Sequence, residues 1–362
     1  MTKNNPNLNF YNPLRFLGAV IIACIVHLPF MPLENPSTFF VFIQRNGVFF
    51  VEMFFVISGS LFYTSFKRLI NEEITIGEFF KRKVVRLFSL VILTSLYMLI
   101  LTIARLNTMG GNPIRSLDIY NIIGSFLLGG FGVISPGSGL NGGLWYIFVL
   151  LLCFFLGVLL TLFSKHHNNS KIFFLLPILI GIGMYAMYKK NIEWIIWSHE
   201  IPRGLITFFL GFYLGVLYEK FDSFDQKKML LTRIISFVVL ACFVTLMCLP
   251  EVRNRSVGRD IALSFGIVFF PSLFVLLYRI DVLNKFFGYK FFKYLAELSF
   301  PIYAFNEPIL MTLRTLDTDF LFSKGLGPWF LLFVLAISLA ISCLYLFVEK
   351  LITKKLTSVK TV

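Results

Sequence analysis

Charged residues are scarce in this sequence. Asp, Glu, Lys and Arg together make up 14% of its 362 residues, whereas apolar residues make up 57%. A soluble domain of this length needs far more polar surface, so the composition excludes a soluble globular protein. Several uncharged apolar runs exceed the roughly 18 residues that mark a membrane span, the clearest being 144–163 and 326–348. We therefore predict an all-α integral membrane protein.

Cysteine is also sparse, and no two cysteines have the spacing of a disulfide framework or a zinc site. We expect all five to face lipid or to pack between helices, because each lies inside an apolar run: Cys24, Cys153, Cys242, Cys248 and Cys343. No metal site and no permanently bound cofactor are predicted.

Acidic residues number 19 against 33 basic ones, which gives a net charge of +14. The basic residues lie between the apolar runs, where they orient a membrane protein and meet lipid headgroups. Membrane lipids are therefore the expected partners of this charge, and nucleic acid is not.

The polar start, residues 1–9, does not lead into a short apolar run ending in small residues, so we expect a retained first helix rather than a cleaved signal peptide.

The apolar runs predict about ten transmembrane helices. They cover residues 14–33, 46–66, 87–104, 144–163, 172–188, 204–218, 234–250, 261–278, 298–313 and 326–348. No soluble domain is apparent at either end, and no internal repeat. We expect residues 1–362 to form a single membrane domain.

The positive charges orient these helices. With ten spans and a cytoplasmic N-terminus, 22 of the 33 Lys and Arg residues lie on the cytoplasmic side and 11 lie outside. Counting the glycine-rich run 119–135 as an eleventh span would change this division to 16 and 17 and remove the cytoplasmic excess. We therefore expect both termini in the cytoplasm and 119–135 to be a re-entrant or interfacial segment on the outer side.

Ionisable residues inside a span cost roughly 2.5 to 3.5 kcal/mol each near the bilayer centre and usually mark a functional path. Arg15 lies near the cytoplasmic end of the first span, where it is either functional or an anchor that snorkels to the surface. His27 follows 12 residues later, about 18 Å along a helix and in the outer half of the membrane. It could act as a general base near neutral pH, or it could be hydrogen-bonded in helix packing. Glu307 stands beside Pro308, where a broken and hydrated helix would account for its charge.

Glu52 precedes the run Phe-Phe-Val-Ile-Ser-Gly at 54–59. From a neighbouring helix it could orient His27 or raise its basicity, or it could serve only as a structural counter-charge. The small residues Ser58 and Gly59 would let another helix or a thin ligand approach the backbone closely.

A basic segment, residues 81–86, has the sequence Lys-Arg-Lys-Val-Val-Arg and precedes the third span. Arg82 and Arg86 are four residues apart, so a helix places both guanidinium groups on one face at the cytoplasmic surface. Paired arginines of this kind suit bidentate binding of phosphates. The alternative is topogenic charge that binds anionic lipid headgroups.

Taken in order, these features resemble the acyltransferase 3 family of integral membrane acyltransferases, which includes O-acetyltransferases acting on bacterial surface glycans. The resemblance spans nearly the whole chain, and the Phe-Phe-Val-Ile-Ser-Gly run is its most specific element. The matching elements are Leu14-Arg15-Phe16-Leu17 leading to His27, Gly47-Val48, Val51 to Gly59, Arg82 to Arg86, Leu144-Trp145-Tyr146, Phe209-Leu210-Gly211 with Gly215, Leu298-Ser299-Phe300 with Ile302-Tyr303, and Glu349-Lys350.

The resemblance implies that the arginine and the histidine of the first helix are essential and that the basic segment binds an acyl-CoA donor. The expected catalytic residues are His27 as the base, Glu52 and Arg15. The expected donor-binding residues are Arg82, Lys83, Arg86, Ser58 and Gly59. The expected acceptor-binding residues are Trp145, Tyr146, Tyr303 and Asn306.

Two positions depart from the family pattern. The family usually places its arginine and histidine about 11 residues apart, within about 20° on one helix face, whereas the 12 residues from Arg15 to His27 give about 120°. Either a π-bulge in the first helix absorbs one residue, or the two side chains serve different partners. The family's Tyr-x-x-His ends here in Asn306, which can form hydrogen bonds but cannot shuttle a proton.

These features predict a multi-pass enzyme of the bacterial cytoplasmic (inner) membrane. It would move an acyl group, expected to be acetyl, from acetyl-CoA to a hydroxyl of a lipid-linked or surface glycan, with His27 as the base or as the acyl carrier. A polytopic exporter of a polysaccharide or small polar molecule fits the composition equally well, but an exporter has no need for a nucleotide-phosphate site. A family member that has lost activity is a third alternative, favoured by Asn306.

Overall fold

The described part of the chain is almost entirely helical. The structure is a computed structural model, described for residues 6–26, 38–109, 119–128, 140–190, 200–249, 258–316 and 327–358. No strand occurs in these ranges, and apolar helices dominate them. The predicted fold class, an all-α integral membrane protein, is confirmed.

The helices of the described residues are numbered in chain order. The α-helices are α1 (Tyr11–Ile21), α2 (Thr38–Asn46), α3 (Phe49–Ile70), α4 (Ile76–Met109), α5 (Ile119–Leu128), α6 (Trp145–His166), α7 (Leu175–Lys189), α8 (Glu200–Phe221), α9 (Gln226–Cys248), α10 (Gly258–Ser264), α11 (Phe270–Leu277), α12 (Asp281–Phe287), α13 (Lys290–Leu316) and α14 (Gly327–Ser358). Two π-helical turns follow α1 and α10, at Ile22–Val26 and Phe265–Phe269. Short 3-10 turns cover Pro6–Leu8, Gly142–Leu144 and Lys171–Phe174.

Eight helices within the described ranges are long and apolar enough to cross a membrane, and each matches a predicted run. They are Phe49–Ile70, Ile76–Ala104, Gly142–His166, Lys171–Lys189, Glu200–Phe221, Gln226–Cys248, Asp260–Leu277 and Leu332–Leu351. The other two predicted spans, 14–33 and 298–313, correspond to the shorter apolar helix Tyr11–Val26 and to the middle of α13. The total of ten spans and the cytoplasmic termini stay predictions.

Helix α5 covers the first part of the 119–135 run. Its ten residues give about 15 Å of helix, which is half of the roughly 30 Å hydrocarbon core. The rest of the run, from residue 129, lies outside the described residues, so the re-entrant or interfacial placement stays a prediction.

Contacts between helices divide the chain into two compact units. Unit 1 comprises Met1–Gly47, Leu96–Asn112 and Ile280–Val362, and in it α13 packs against α1 and α14. Unit 2 comprises Val48–Ser95 and Pro113–Arg279, with α3 and α8 at its centre and α6 and α7 packed against α8. The expectation of a single membrane domain stays a prediction.

The centre of unit 2 depends on glycines that let α3 and α8 touch backbone to backbone. A Cβ atom on Gly59 would lie 1.8 Å from the carbonyl oxygen of Phe208, and one on Gly211 would lie 2.2 Å from that of Val56. The space beside Gly59 is therefore filled by a helix, which was one of the two alternatives for this position. The assignment of Ser58 and Gly59 to the donor stays a prediction.

The peripheral helices α7 and α9 expose large apolar side chains. Leu179, Leu230 and Phe237 are 64%, 58% and 62% exposed. Soluble proteins rarely leave such extended apolar faces uncovered, whereas in a membrane these faces meet lipid. All five cysteines are free; Cys242 and Cys248 are on the exposed surface of α9.

Candidate active site

Two charged side chains are fully buried in the part of the chain that the structure describes, and they form an ion pair between α3 and α8. Glu52 is 0% exposed and Arg203 is 1% exposed. Arg203 Nε donates a hydrogen bond to Glu52 Oε1 at 2.5 Å, and Arg203 Nη2 lies 2.5 Å from the same oxygen. A guanidinium commonly binds both carboxylate oxygens in parallel, but here both nitrogens converge on one oxygen.

The second carboxylate oxygen, Glu52 Oε2, is buried and has no hydrogen-bond partner among the described residues. Arg203 Nη2 is also buried, and its short contact with Oε1 lacks the alignment of a hydrogen bond. Incompletely paired buried groups cost stability, and in native proteins they call for an explanation such as catalysis or a ligand. Glu52 is therefore more than a fully satisfied structural counter-charge.

Trp145, the first residue of α6, also contacts the arginine. The centre of the guanidinium lies 5.5 Å from the centroid of the Trp145 ring, within the range of a cation–π interaction. Trp145 is partly exposed, whereas its neighbour Tyr146 is buried against the Phe55 ring, with centroids 4.6 Å apart. Trp145, one of the two predicted acceptor-binding aromatics in this unit, therefore contacts one of the two buried charges.

A π-helical turn, Phe265–Phe269, packs against Glu52. A Cβ atom on Gly266 would lie 2.8 Å from Glu52 Cβ and 2.6 Å from Thr207 Cγ2, so no side chain fits there. The Thr207 hydroxyl donates to the Arg203 carbonyl oxygen at 2.7 Å. Since π-turns inside helices frequently occur at functional sites, this segment supports the assignment of the Glu52–Arg203 pair to the active site.

Sequence reasoning missed Arg203. The apolar run that predicts this span begins at residue 204, so Arg203 was counted among the charges of an outer loop. The helix begins earlier, at Glu200, and Arg203 lies inside its first turns. The available signal was Glu200 followed by Pro202, because an acidic residue and a proline in the first turn are typical of a helix start.

The basic segment lies in the second and third turns of α4. The Phe79 ring, just before the segment, lies 5.7 Å from the Phe62 ring of α3, and Phe62 is ten residues after Glu52, so about 15 Å of helix separates the two levels. Thr75 and Glu78 form a capping box, with hydrogen bonds of 3.0 and 3.2 Å, which fixes the start of α4. Helix α4 is continuous through 81–86, and Lys83 Nζ lies 5.0 Å from the centroid of the Phe154 ring.

Two more lysines lie near the C-terminal end of α3. Lys67 and Lys171 place their Nζ atoms 3.1 and 3.5 Å from the Glu219 carboxylate, and Lys171 also donates to the Tyr63 hydroxyl at 2.9 Å. Tyr63 in turn donates to Glu219. One carboxylate between two lysines leaves a net positive charge, which adds to that of the basic segment.

The neighbouring pair of Lys165 and Glu72 adds no such charge. Lys165 donates a hydrogen bond to Glu72, and this bond holds the pKa of the Glu72 carboxyl below its usual range. The two charges therefore compensate each other near neutral pH.

Unit 1 holds the remaining predicted residues. Arg15 is half-buried on α1, and Tyr303 and Asn306 are buried on α13, the helix that packs against α1. His27 lies outside the described residues. The roles predicted for these four residues stay predictions.

A π-helical turn occupies Ile22–Val26, between Arg15 and His27. A π-bulge adds one residue to a helix, which is what the 12-residue spacing requires if both side chains are to serve one site. The alternative in which a π-bulge absorbs one residue therefore has the helix geometry that it requires.

The described residues contain no group of three or more His, Cys, Asp or Glu side chains that could hold a metal ion. The polar side chains described above in unit 2 include a carboxylate, a guanidinium and the lysines near Glu219; in addition, Asp260 accepts hydrogen bonds from Tyr185 and Lys189. Together, the apolar helices and the buried ion pair define a multi-pass membrane protein with an internal polar site.

Comparison with known families identifies the chain. The sequence profile of the acyltransferase 3 family, described as an acyltransferase domain, matches residues 8–347. The chain therefore belongs to the acyltransferase 3 family, and the resemblance inferred from its motifs is confirmed. It is a multi-pass membrane acyltransferase. No curated protein sequence and no solved structure matches it.

Proposed function

We propose that this acyltransferase moves an acetyl group from acetyl-CoA to a hydroxyl of a lipid-linked or cell-surface glycan in the bacterial inner membrane. The observation that carries the proposal is the arrangement of unit 2. Cations and a buried carboxylate–arginine pair lie at different levels of α3: Lys67 follows Glu52 by 15 residues, which is about 22 Å of helix. An enzyme that takes a water-soluble donor on one side and a glycan on the other needs two such sites.

The donor is proposed to bind at the basic segment. Coenzyme A carries several phosphates, and arginine guanidinium groups bind phosphate oxygens bidentately. Arg82 and Arg86 are the proposed phosphate contacts, with Lys83 beside them. Anionic lipid headgroups would compete for the same charges.

The acceptor hydroxyl is proposed to attack the thioester carbonyl with His27 as the general base. A sugar hydroxyl must lose its proton as it attacks, and the histidine takes it. The new carbon–oxygen bond forms as the carbon–sulfur bond breaks, and the departing thiolate of coenzyme A receives a proton. If His27 instead carries the acetyl group as an intermediate, the same bonds form and break in two steps.

Comparing surface glycans tests the overall reaction. Mass spectrometry of glycans from cells with and without the gene should show a mass difference of one acetyl group per modified sugar. A different mass difference would identify another acyl group. Identical glycans would contradict the proposed acceptor and would favour an exporter or an inactive family member.

Coenzyme A binding tests the donor site. We expect the double variant Arg82→Gln/Arg86→Gln to bind coenzyme A at least about tenfold more weakly than the wild type, because each lost charged hydrogen bond is worth roughly 1.5 to 3 kcal/mol. The measurement is equilibrium binding of coenzyme A to the purified protein in detergent. The control is Lys227→Gln/Lys228→Gln, which removes two exposed cations from the first turn of α9. Equal loss in both variants would mean that binding reflects net charge and not this segment.

A further inference from the structure

We infer that Glu52 and Arg203 bind a hydroxyl of the acceptor glycan other than the one that is acylated, in an arrangement in which Arg203 holds one carboxylate oxygen and leaves the other to receive this hydroxyl's hydrogen bond. Arg203 is a positioning residue in this arrangement. The inference rests on the proposed function and extends it by naming the group that is recognised and the residue that aims Glu52.

The geometry of the ion pair selects the ligand. Both approaching nitrogens of Arg203 converge on Glu52 Oε1, so Oε2 keeps its full capacity to accept a hydrogen bond. Arg203 Nη2 is buried without a well-aligned acceptor and keeps its capacity to donate. The site therefore offers one acceptor and one donor within the width of a single ion pair.

A hydroxyl group fits both capacities at once, since it donates one hydrogen and accepts through its oxygen. A cationic amine could satisfy Oε2 but would be repelled by the guanidinium. A phosphate or carboxylate could satisfy the guanidinium but would be repelled by Glu52. A neutral polyol such as a sugar is the ligand class that this pair favours.

The surroundings indicate the direction of approach. Gly266 lies next to the Glu52 side chain, and not even a Cβ atom fits there, because it would lie 2.8 Å from Glu52 Cβ and 2.6 Å from Thr207 Cγ2. Trp145 contacts the guanidinium at 5.5 Å and is itself partly exposed. The ligand therefore approaches past Trp145, whose ring keeps Arg203 in place against Glu52.

Removing both charges distinguishes a purely structural ion pair from a binding site. Replacing a buried ion pair with apolar residues of similar size is often neutral or stabilising, whereas removing one partner strands a buried charge. We therefore expect the double variant Glu52→Met/Arg203→Met to melt at or above the wild-type temperature in detergent and to lose at least a hundredfold of glycan acylation. The single variant Arg203→Met should melt lower than either.

The matched control is Arg233→Met. Arg233 donates only to backbone carbonyls among the contacts described for it, those of Tyr278 and Arg279 at 3.0 and 3.1 Å. Its loss should lower the melting temperature and leave the acylation rate per folded molecule unchanged. If the double variant of Glu52 and Arg203 fails to fold, Glu52→Gln decides, because it keeps the shape and the contact with Arg203 but replaces one acceptor oxygen with a donor NH2.

Binding is measured separately from acyl transfer. The probe is the lipid-linked glycan fraction extracted from the producing cells, and the readout is the rise in melting temperature that it causes in the purified protein. Wild-type protein should be stabilised by this fraction, and Glu52→Gln and the double variant should not.

A folded variant that still acylates glycans at the wild-type rate would overturn the inference while the proposed function stands. Stabilisation that depends on Glu52, without any acyl transfer by the wild type, would overturn the proposed function and keep the hydroxyl site. Neither stabilisation nor transfer would overturn both.

Discussion

A single methyl group added at Gly59 is expected to prevent the central helices of unit 2 from assembling. In Gly59→Ala the new Cβ would lie 1.8 Å from the Phe208 carbonyl oxygen and 2.9 Å from the Phe212 nitrogen. Both are backbone atoms of α8, so no side-chain rotation can relieve the clash. Adding a methylene group to a well-packed core costs roughly 1 to 3 kcal/mol, and we expect a clash between two helix backbones to cost at least the upper end of that range.

The measurement is the yield of monodisperse protein after extraction and its melting temperature. Gly183→Ala is the matched control, because a Cβ atom on Gly183 meets nothing within 4 Å and the residue lies inside α7. Alanine favours a helix over glycine by about 1 kcal/mol, so this control should be neutral or stabilising. A Gly59→Ala protein with unchanged yield and melting temperature would show that α3 and α8 are not in backbone contact.

Replacing His27 with alanine is expected to abolish glycan acylation while the protein still inserts into the membrane. General-base catalysis contributes about 10²- to 10⁴-fold to a rate, and a covalent role would make the loss larger still. The measurement is the acylated fraction of surface glycan by mass spectrometry, normalised to the amount of protein in the membrane.

His166→Ala serves as the control for His27→Ala. His166 is exposed at the end of α6, so its loss tests whether any histidine substitution harms the protein. Acylation should be retained in this control. Retained acylation in His27→Ala would eliminate the proposed role, and the two histidine variants losing activity alike would assign the effect to general damage.

The hydrophobic pattern was sufficient for the helices but not for their ends. Apolar runs locate the spans because bilayer thickness imposes a minimum length, and eight of them match helices in the described ranges. The ends depend on caps and on tertiary contacts, and Arg203 shows the consequence. If Arg203 is interpreted as a charge of a loop, it only contributes to the orientation of the protein in the membrane. In the structure it lies inside α8 and is one of the two fully buried charges among the described residues.

The family motifs were recognisable from sequence, but the reason for their residue types was not. The Phe-Phe-Val-Ile-Ser-Gly run was compatible with a helix or a ligand close to Gly59, and periodicity cannot distinguish the two. The contact with Phe208 shows that helix α8 approaches the backbone at Gly59. Likewise, the 12-residue spacing of Arg15 and His27 requires either a π-bulge or different partners for the two side chains, and the structure has a π-turn between them at Ile22–Val26.

The sequence by itself determined that this protein is a multi-pass membrane acyltransferase of the acyltransferase 3 family, because hydrophobic length and linear motifs are properties of the chain read in order. Only the tertiary structure paired Glu52 with Arg203, which are 151 positions apart in the chain. The physical reason is that a buried charge is stabilised by whatever partner the packing brings within a few ångströms, and hydropathy contains no information about that partner. The same packing left Glu52 Oε2 unpaired among the described residues, and the proposed acceptor site depends on that oxygen.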